Sequence, residues 1–356
     1  MWLYAGYRFG QIHKIHAKHL VRQTKPGKPF NVLLVGSDSR AFVDNSQQAQ
    51  AFGSAGALGG QRSDVTMVAR IIPATRQVWV LSIPRDLWVD IPGHVPGISG
   101  MNRINAAFNS GPDLLVQTLE QVLGIQANHY VEVNFPGFQG MVDALGGIDM
   151  NFPTELRDYY SGLRITQAGC QTLDGAQALA LVRSRHLSYR TATGAWAYDG
   201  QSDFSRIQRQ DAFFRAVMSK LNSSITNPIA LNGFLGAAAK NLTIDDTLTE
   251  GALFDLAKEL RGLPAANLHF ETLPTTAFVT SGGADVLNEA QPYADQMIAS
   301  FNQLGITPAV GKPSPTPSTA TSSTVAAAAT TTTTTIPGNV YTNTQAEPWN
   351  PPTCSG

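Results

Sequence analysis

The 356 residues carry 25 Lys and Arg against 26 Asp and Glu, a formal net charge of −1, with 43% hydrophobic and 14% charged positions. That length suits one large domain or two ordinary ones, and the balanced charge gives no global cationic field, which argues against nucleic-acid binding through long-range electrostatics. Two cysteines, Cys170 and Cys354, are too few for a disulfide framework or a four-sulfur zinc site, and no run of 18 apolar residues is present to span a bilayer.

Residues 1–28 hold no acidic side chain, whereas Arg8, Lys14, Lys18, Arg22, Lys25 and Lys28 are cationic and Trp2, Tyr4 and Tyr7 come first. Rings followed by cations suit a membrane interface, so the segment reads either as a basic juxtamembrane stub or as a frayed leader. His13, His16 and His19 recur every three residues, a spacing that would place them on one helix face near a metal, although no carboxylate or cysteine accompanies them. From Phe30 a strand–helix alternation begins. Residues 31–35, 65–72 and 77–83 are β-like, with a turn at 73–76 between the last two. Residues 41–61, rich in Gly, Ala and Gln, read as a mobile insertion. The spacing then predicts a helix over 113–123 closed by Gly124, a strand over 129–133, a helix over 135–145 stopped by Gly146 and Gly147, and a strand over 148–152. Helices are expected at 174–185, 204–222, 249–261 and 287–304. Past Gly311 the composition turns to Pro, Ser, Thr and Ala, which buries too little apolar surface to fold. The expected organisation is a basic segment 1–28, an α/β layered domain with a mixed sheet over 29–308 (motif core 31–222), a low-complexity linker 309–338 and a tail 339–356.

Arginine outnumbers lysine by 17 to 8, and arginine suits planar, bidentate binding of phosphate oxygens. Five polar clusters follow strand ends or open helices: Gly36-Ser37-Asp38-Ser39-Arg40, Arg62-Ser63-Asp64, Pro84-Arg85-Asp86, Asn102-Arg103-Ile104-Asn105, and Arg183-Ser184-Arg185 with Asp203, Arg206, Arg209 and Gln210. Sheet ends are where α/β folds place ligands. The logic is that of a pyrophosphate site: guanidinium groups clamp the oxygens, and Asp38 and Asp64 offer hard ligands to Mg²⁺, or to Mn²⁺ in its place. Arg206 and Gln210, one turn apart, share a helix face, whereas Arg209 and Arg215 read as residues that solvate the helix.

The segments NVLLVGSDSR, RSDVTMV, VLSIPRDLWVDIPG, NRINAAF, HYVEVNFPGFQGMVDALGGIDM, LDGAQALALVRSRH and DFSRIQRQ together resemble the LytR-CpsA-Psr family of bacterial cell envelopes, in the family's order. The resemblance implies a three-layer α/β/α domain outside the cytoplasmic membrane, anchored by an N-terminal helix that is missing or truncated here. It implies a phosphotransferase that moves a glycopolymer, such as a teichoic acid or arabinogalactan, from a polyprenyl-pyrophosphate carrier to peptidoglycan with Mg²⁺. Carried over to this chain, the metal ligands fall on Asp38 and Asp64 and the pyrophosphate arginines on Arg62, Arg85, Arg183, Arg185 and Arg206, assisted by Gln210. Arg40 and Arg103 occupy motif positions as well. Asp86 either orients Arg85 or serves as a general base. The polyprenyl channel that the family implies would be lined here by Phe108, Phe135, Phe138, Met141, Val142, Phe213, Phe214 and Val217, although the simpler reading of each is ordinary core. The insertion 186–202, with Tyr189, Arg190, Trp196 and Tyr198, flanks the site as a lid or an acceptor-binding loop, and Trp196 suits stacking on a sugar face. Outside the membrane, Cys170 and Cys354 either form one bridge that folds the tail back or remain free thiols.

Other readings use overlapping residues. Water as acceptor would make the protein a pyrophosphate hydrolase. A non-catalytic lipid- or wall-binding regulator would keep the arginines but tolerate loss of Asp38 and Asp64. A serine hydrolase on Ser37 lacks an organised histidine partner, and no helix-turn-helix pattern supports nucleic acid as a partner.

Overall fold

The computed structural model describes residues 7, 9–22, 27–37, 63–200, 203–224 and 228–306, together with Cys354. Asp38, Arg40, Arg62, the insertion 41–61, the linker 309–338, the rest of the tail and the side chain of Asp203 lie outside the described residues.

In chain order the strands β1 (His13–Ile15), β2 (Phe30–Ser37), β3 (Ser63–Ile72), β4 (Gln77–Ser82), β5 (Trp88–Ile91) and β6 (Gly100–Arg103) precede helix α1 (Pro112–Leu123). Then come β7 (His129–Asn134), α2 (Phe135–Ala144), β8 (Ile148–Phe152), β9 (Leu156–Asp158), β10 (Leu163–Ile165), β11 (Gly169–Leu173) and α3 (Gly175–Arg183). The hairpin β12 (Ser188–Arg190) and β13 (Trp196–Tyr198) leads to α4 (Asp203–Ser224), α5 (Pro228–Asn241), β14 (Leu242–Asp245) and α6 (Glu250–Leu260). β15 (Leu268–Thr272), β16 (Thr275–Val279), β17 (Asp285–Glu289) and α7 (Tyr293–Gln303) finish the described chain.

A seven-stranded mixed sheet runs β1-β14-β7-β2-β3-β4-β15. Its apolar residues alternate between two cores, as the two-residue strand period requires. Leu33, Val35, Val68 and Leu81 face α1 and α7, while Val32, Met67, Ala69 and Val80 face the side of α4 and α6. The result is the expected α/β/α layering. A third core joins α2, α3, the stretch of α4 from Ala212 to Leu221 and the small sheets β11-β8 and β10-β9-β12-β13. Local signals set the helix ends: Gly124 closes α1 at φ 61°, and the side chains of Asn134 and Asp174 accept the Gly137 and Gln177 N–H groups, each at 2.8 Å, to open α2 and α3. Cys170 on β11 is disulfide-bonded to Cys354, with Cα atoms 5.8 Å apart.

Four expectations need correction. The helix expected at 287–304 is split: Val286 and Leu287 belong to β17 in a hairpin with β16, and α7 opens only after Pro292, because a proline neither donates within a helix nor tolerates an α-helical residue before it. The three N-terminal histidines share no helix. His13 lies in β1 while His16 and His19 reach Asp246 and Asp113, 2.8 and 3.1 Å away, and the described residues contain no cluster of metal-ligand type. The basic stretch therefore enters the fold through β1, which pairs with β14. Within the insertion at 186–202, the described residues 186–200 form no loose lid, since β12 and β13 are built into the sheet with β9. Among the described residues no helix is long and apolar enough to cross a membrane.

Candidate active site

Between the central sheet and the helices α2, α3 and α4 lies a cavity of about 380 Å³. Its floor is apolar, from Leu34, Val65, Met67, Val131 and Val133 on the strands. α4 contributes Arg206, Gln210, Phe213, Phe214 and Val217, spaced so that one helical face looks into the cavity. Phe135 and Phe138 close it from α2, with Phe138 and Phe213 ring centroids 5.2 Å apart. Of the residues proposed for a lipid channel, Phe108, Met141 and Val142 do not line it. Phe108 is 1% exposed in the core beneath α1 on the opposite side of the sheet, and Val142 packs within the third core.

The mouth of the cavity is charged. Asp64, Arg85, Arg183, Arg185 and Arg206 all reach it. Asp64 owes its position to a β-bulge: Gly36 pairs with Val65 but Ser37 pairs with Ser63, so Asp64 is the extra residue. A bulge re-aims a side chain, and here it brings a carboxylate to the same mouth that Val65 lines. Asp64 Oδ1 accepts a hydrogen bond from Arg85 Nη1 at 2.6 Å. Asp86 gathers three guanidinium groups: Arg85 Nε at 3.4 Å, Arg103 Nε at 3.2 Å and Arg185 Nη2 at 3.6 Å. Both its oxygens are engaged in ion pairs of this kind. Arg103 stands one step back from the cavity, its Nη2 also donating to the Asp285 carbonyl at 3.0 Å. Arg183 lies over the Phe135 ring, 4.4 Å from its centroid. Among the described residues, Arg85, Arg103, Arg183, Arg185 and Arg206 thus gather with Asp64 and Asp86 at or just behind the mouth of an apolar cavity.

Behind the mouth is a second, buried network that the sequence reading missed. Ser184 is extended, so Arg183 at the end of α3 and Arg185 after it both turn to the cavity. Asp158, 1% exposed, holds this segment: its Oδ2 accepts from Ser184 Oγ at 2.7 Å and from the Arg185 and His186 N–H groups at 3.1 and 2.9 Å. Burial would raise the Asp158 pKa, but these bonds and those from the Tyr160 and Ser161 N–H groups outweigh it and hold the carboxyl below its ordinary value. Arg209 is 1% exposed, donating to the Ser184 carbonyl and standing 3.5 Å from Asp199. Burial lowers its pKa to about 10 against the opposing pull of Asp199. Gln210 donates to the Val182 carbonyl at 2.9 Å and so secures the end of α3. Arg209 therefore does not solvate its helix, nor does Arg215, whose guanidinium lies 4.6 Å from the Phe270 ring centroid. Only the high density of polar residues in DFSRIQRQ, unusual for a helix buried from Ser205 to Phe213, signals this network.

Ser37 is no nucleophile in this setting. It is fully buried and donates to Glu132 Oε1 at 2.6 Å, while Tyr130 Oη donates to Oε2 at 2.8 Å.

The site thus joins an apolar cavity in an α/β/α domain to a mouth lined by arginines. Residues 8–303 match the LytR_cpsA_psr family, and the chain belongs to it. It is 37% identical over 274 residues to the Corynebacterium glutamicum "Probable cell wall biosynthesis protein LcpB", covering 76% of this chain and 60% of that protein. It is 34% identical over 228 residues to the Oceanobacillus iheyensis polyisoprenyl-teichoic acid–peptidoglycan teichoic acid transferase TagU, covering 62% of this chain and 60% of the relative. The chain thus spans about 60% of the length of these curated relatives. Among solved structures, the LytR-Csp2A-Psr enzyme from Actinomyces oris superposes with a TM-score of 0.63 at 25% identity, over 82% of this chain and 95% of the other. Bacillus subtilis TagV shares the fold, with a TM-score of 0.61 at 22% identity over 78% of this chain and 98% of its own.

Proposed function

We propose that the protein transfers a phosphate-linked cell-wall glycopolymer from a polyprenyl-pyrophosphate carrier to peptidoglycan, at the outer face of the cytoplasmic membrane. The observation that carries this reading is the joining of an apolar cavity to a mouth where, among the described residues, guanidinium groups outnumber carboxylates. The prenyl chain occupies the cavity, and Arg85, Arg183, Arg185 and Arg206 bind the pyrophosphate oxygens. Relatives whose names specify polyisoprenyl-linked donors and peptidoglycan acceptors support the substrate class.

An acceptor hydroxyl attacks the phosphorus nearest the glycan. A new oxygen–phosphorus bond forms, the bond to the bridging oxygen breaks, and polyprenyl phosphate leaves, with the hydroxyl proton passing to the departing phosphate or to solvent. The arginines stabilise charge that grows on the oxygens, and their prior fixation by Asp86 and Asp158 removes the cost of orienting them during the reaction. Asp64, aimed at the mouth by its bulge, and Asp38, directly after Ser37 at the end of β2, fit the one or two carboxylates that Mg²⁺ or Mn²⁺ takes alongside substrate phosphate. When bound there, the metal neutralises phosphate charge.

The test is transfer of a short synthetic polyprenyl-pyrophosphate glycan to peptidoglycan fragments, with Mg²⁺ or EDTA. Metal-dependent attachment that is lost in Asp64→Ala is the expected result. Release of glycan phosphate without attachment would replace transfer by hydrolysis, and tight lipid binding without turnover would leave a binding protein.

A further inference from the structure

The small sheet β10-β9-β12-β13 has one face on the third core, where Leu156, Leu163 and Ile165 are buried. Its register brings the alternate residues together on the other face. Arg157 pairs with Arg164 on one side and with Ser188 on the other, Ser188 pairs with Tyr198, and Arg190 pairs with Trp196. Beside these strands is a concavity of about 490 Å³ reached by Arg157, Arg164, Trp196 and Tyr159. The Arg157 and Arg190 guanidinium groups lie 3.8 and 5.3 Å from the Trp196 ring centroid.

Two features of this face are unfavourable in the protein alone. Arg157 and Arg164 stand directly opposite one another across two strands, a like-charge pair that destabilises a sheet. Tyr160 is 85% exposed and Tyr198 56% exposed, both against His186: the Tyr160 ring is 4.5 Å from the imidazole, and Tyr198 Oη is 3.4 Å from Nδ1. Exposed rings beside clustered arginines match a sugar chain that carries carboxylates. The C–H faces of pyranose rings pack on aromatic faces, and guanidinium forks take carboxylates in pairs of hydrogen bonds. The face is also continuous with the active site. His186 follows Arg185 at the cavity mouth, and one carboxylate, Asp158 of β9, holds the N–H groups of both.

We propose that the outer face of this sheet is the acceptor subsite. It holds the peptidoglycan strand, a glycan with carboxylate-bearing stem peptides, and leads its hydroxyl to the phosphorus beside Arg185. The proposal rests on the transferase reading above for the word acceptor, and on the sheet alone for glycan binding.

The experiment measures affinity of the full chain for a soluble muropeptide by calorimetry, in wild type and in Tyr160→Ala, Tyr198→Ala and Arg164→Ala, whose side chains are exposed and bear little on the fold. Donor affinity and transfer kinetics are followed in parallel. Each variant is expected to weaken muropeptide binding at least fivefold and raise the acceptor KM to match, with donor affinity and kcat held within twofold. The Arg164→Ala effect should shrink with an oligosaccharide that lacks stem carboxylates. Unchanged muropeptide affinity in all three variants overturns the proposal, and so does a loss confined to the donor, which would make this face a reader of the donor glycan. If wild type binds muropeptide through these residues yet transfers nothing, the transferase reading fails and the glycan-binding face stands. If transfer proceeds and the variants keep the wild-type acceptor KM, the subsite fails and the transferase reading stands.

Discussion

Two arginine–carboxylate networks lie on either side of residues 183–185. At the cavity mouth, Arg85, Asp64 and Asp86 are each 18% exposed, and Arg103 and Arg185 are 38% and 35% exposed. Behind it, Arg209, Asp199 and Asp158 are at most 2% exposed. The residue types are the same, and burial separates the two networks except at Arg206, which borders the cavity while only 3% exposed. A partly solvated guanidinium can exchange a carboxylate for a ligand's phosphate, whereas a fully buried one cannot release its partner without leaving an uncompensated charge.

That contrast can be broken from both sides. Arg209→Ala removes the buried guanidinium that faces Asp199 and should cost about 3–5 kcal/mol of stability, read from urea unfolding, with Arg185 losing its fixed position as a consequence. Arg85→Ala should do the reverse: transfer falls by about 10²–10³, or about 2.7–4 kcal/mol in the transition state, while the unfolding midpoint hardly moves. A variant pair with these effects exchanged would erase the distinction between the two networks.

Asp158→Asn sharpens the comparison through pH. The folded pKa of Asp158 lies below its ordinary value of 3.8, so its stabilisation is complete above that pH and is lost as pH falls through the folded value. The variant should be about 1–2 kcal/mol less stable at neutral pH, with a shallower decline below pH 3.8 in unfolding measured across the acid range. The smallest effect is expected for Arg103→Ala. Its guanidinium supports Asp86 without lining the cavity, so steady-state transfer should show a loss of about tenfold or less, carried by disordered Arg85 and Arg185.

Much of the site was legible because its residues sit in short segments at strand ends. Arg85 follows β4, Arg183 ends α3, and the turn spacing of Arg206 and Gln210 puts both on the cavity face of α4. Asp158 was not legible, since nothing beside it in Leu156–Asp158 marks it as the anchor of a segment 26 residues later. Phe108 and Phe135 are equivalent in the sequence as apolar residues near motif positions. They lie on opposite sides of the sheet, and only one borders the cavity.

Strand–helix order, the α/β class and the residue types at the arginine-lined site could be read from local sequence, because hydrophobic periodicity and turn chemistry act over a few residues. Long-range packing set the rest: the bulge that turns Asp64 to the mouth, the burial that makes Arg209 a strut, and the register that gathers Arg157, Arg190 and Trp196 on one face. These depend on which distant segments pack together, and packing sets both the direction of a side chain and the dielectric around its charge.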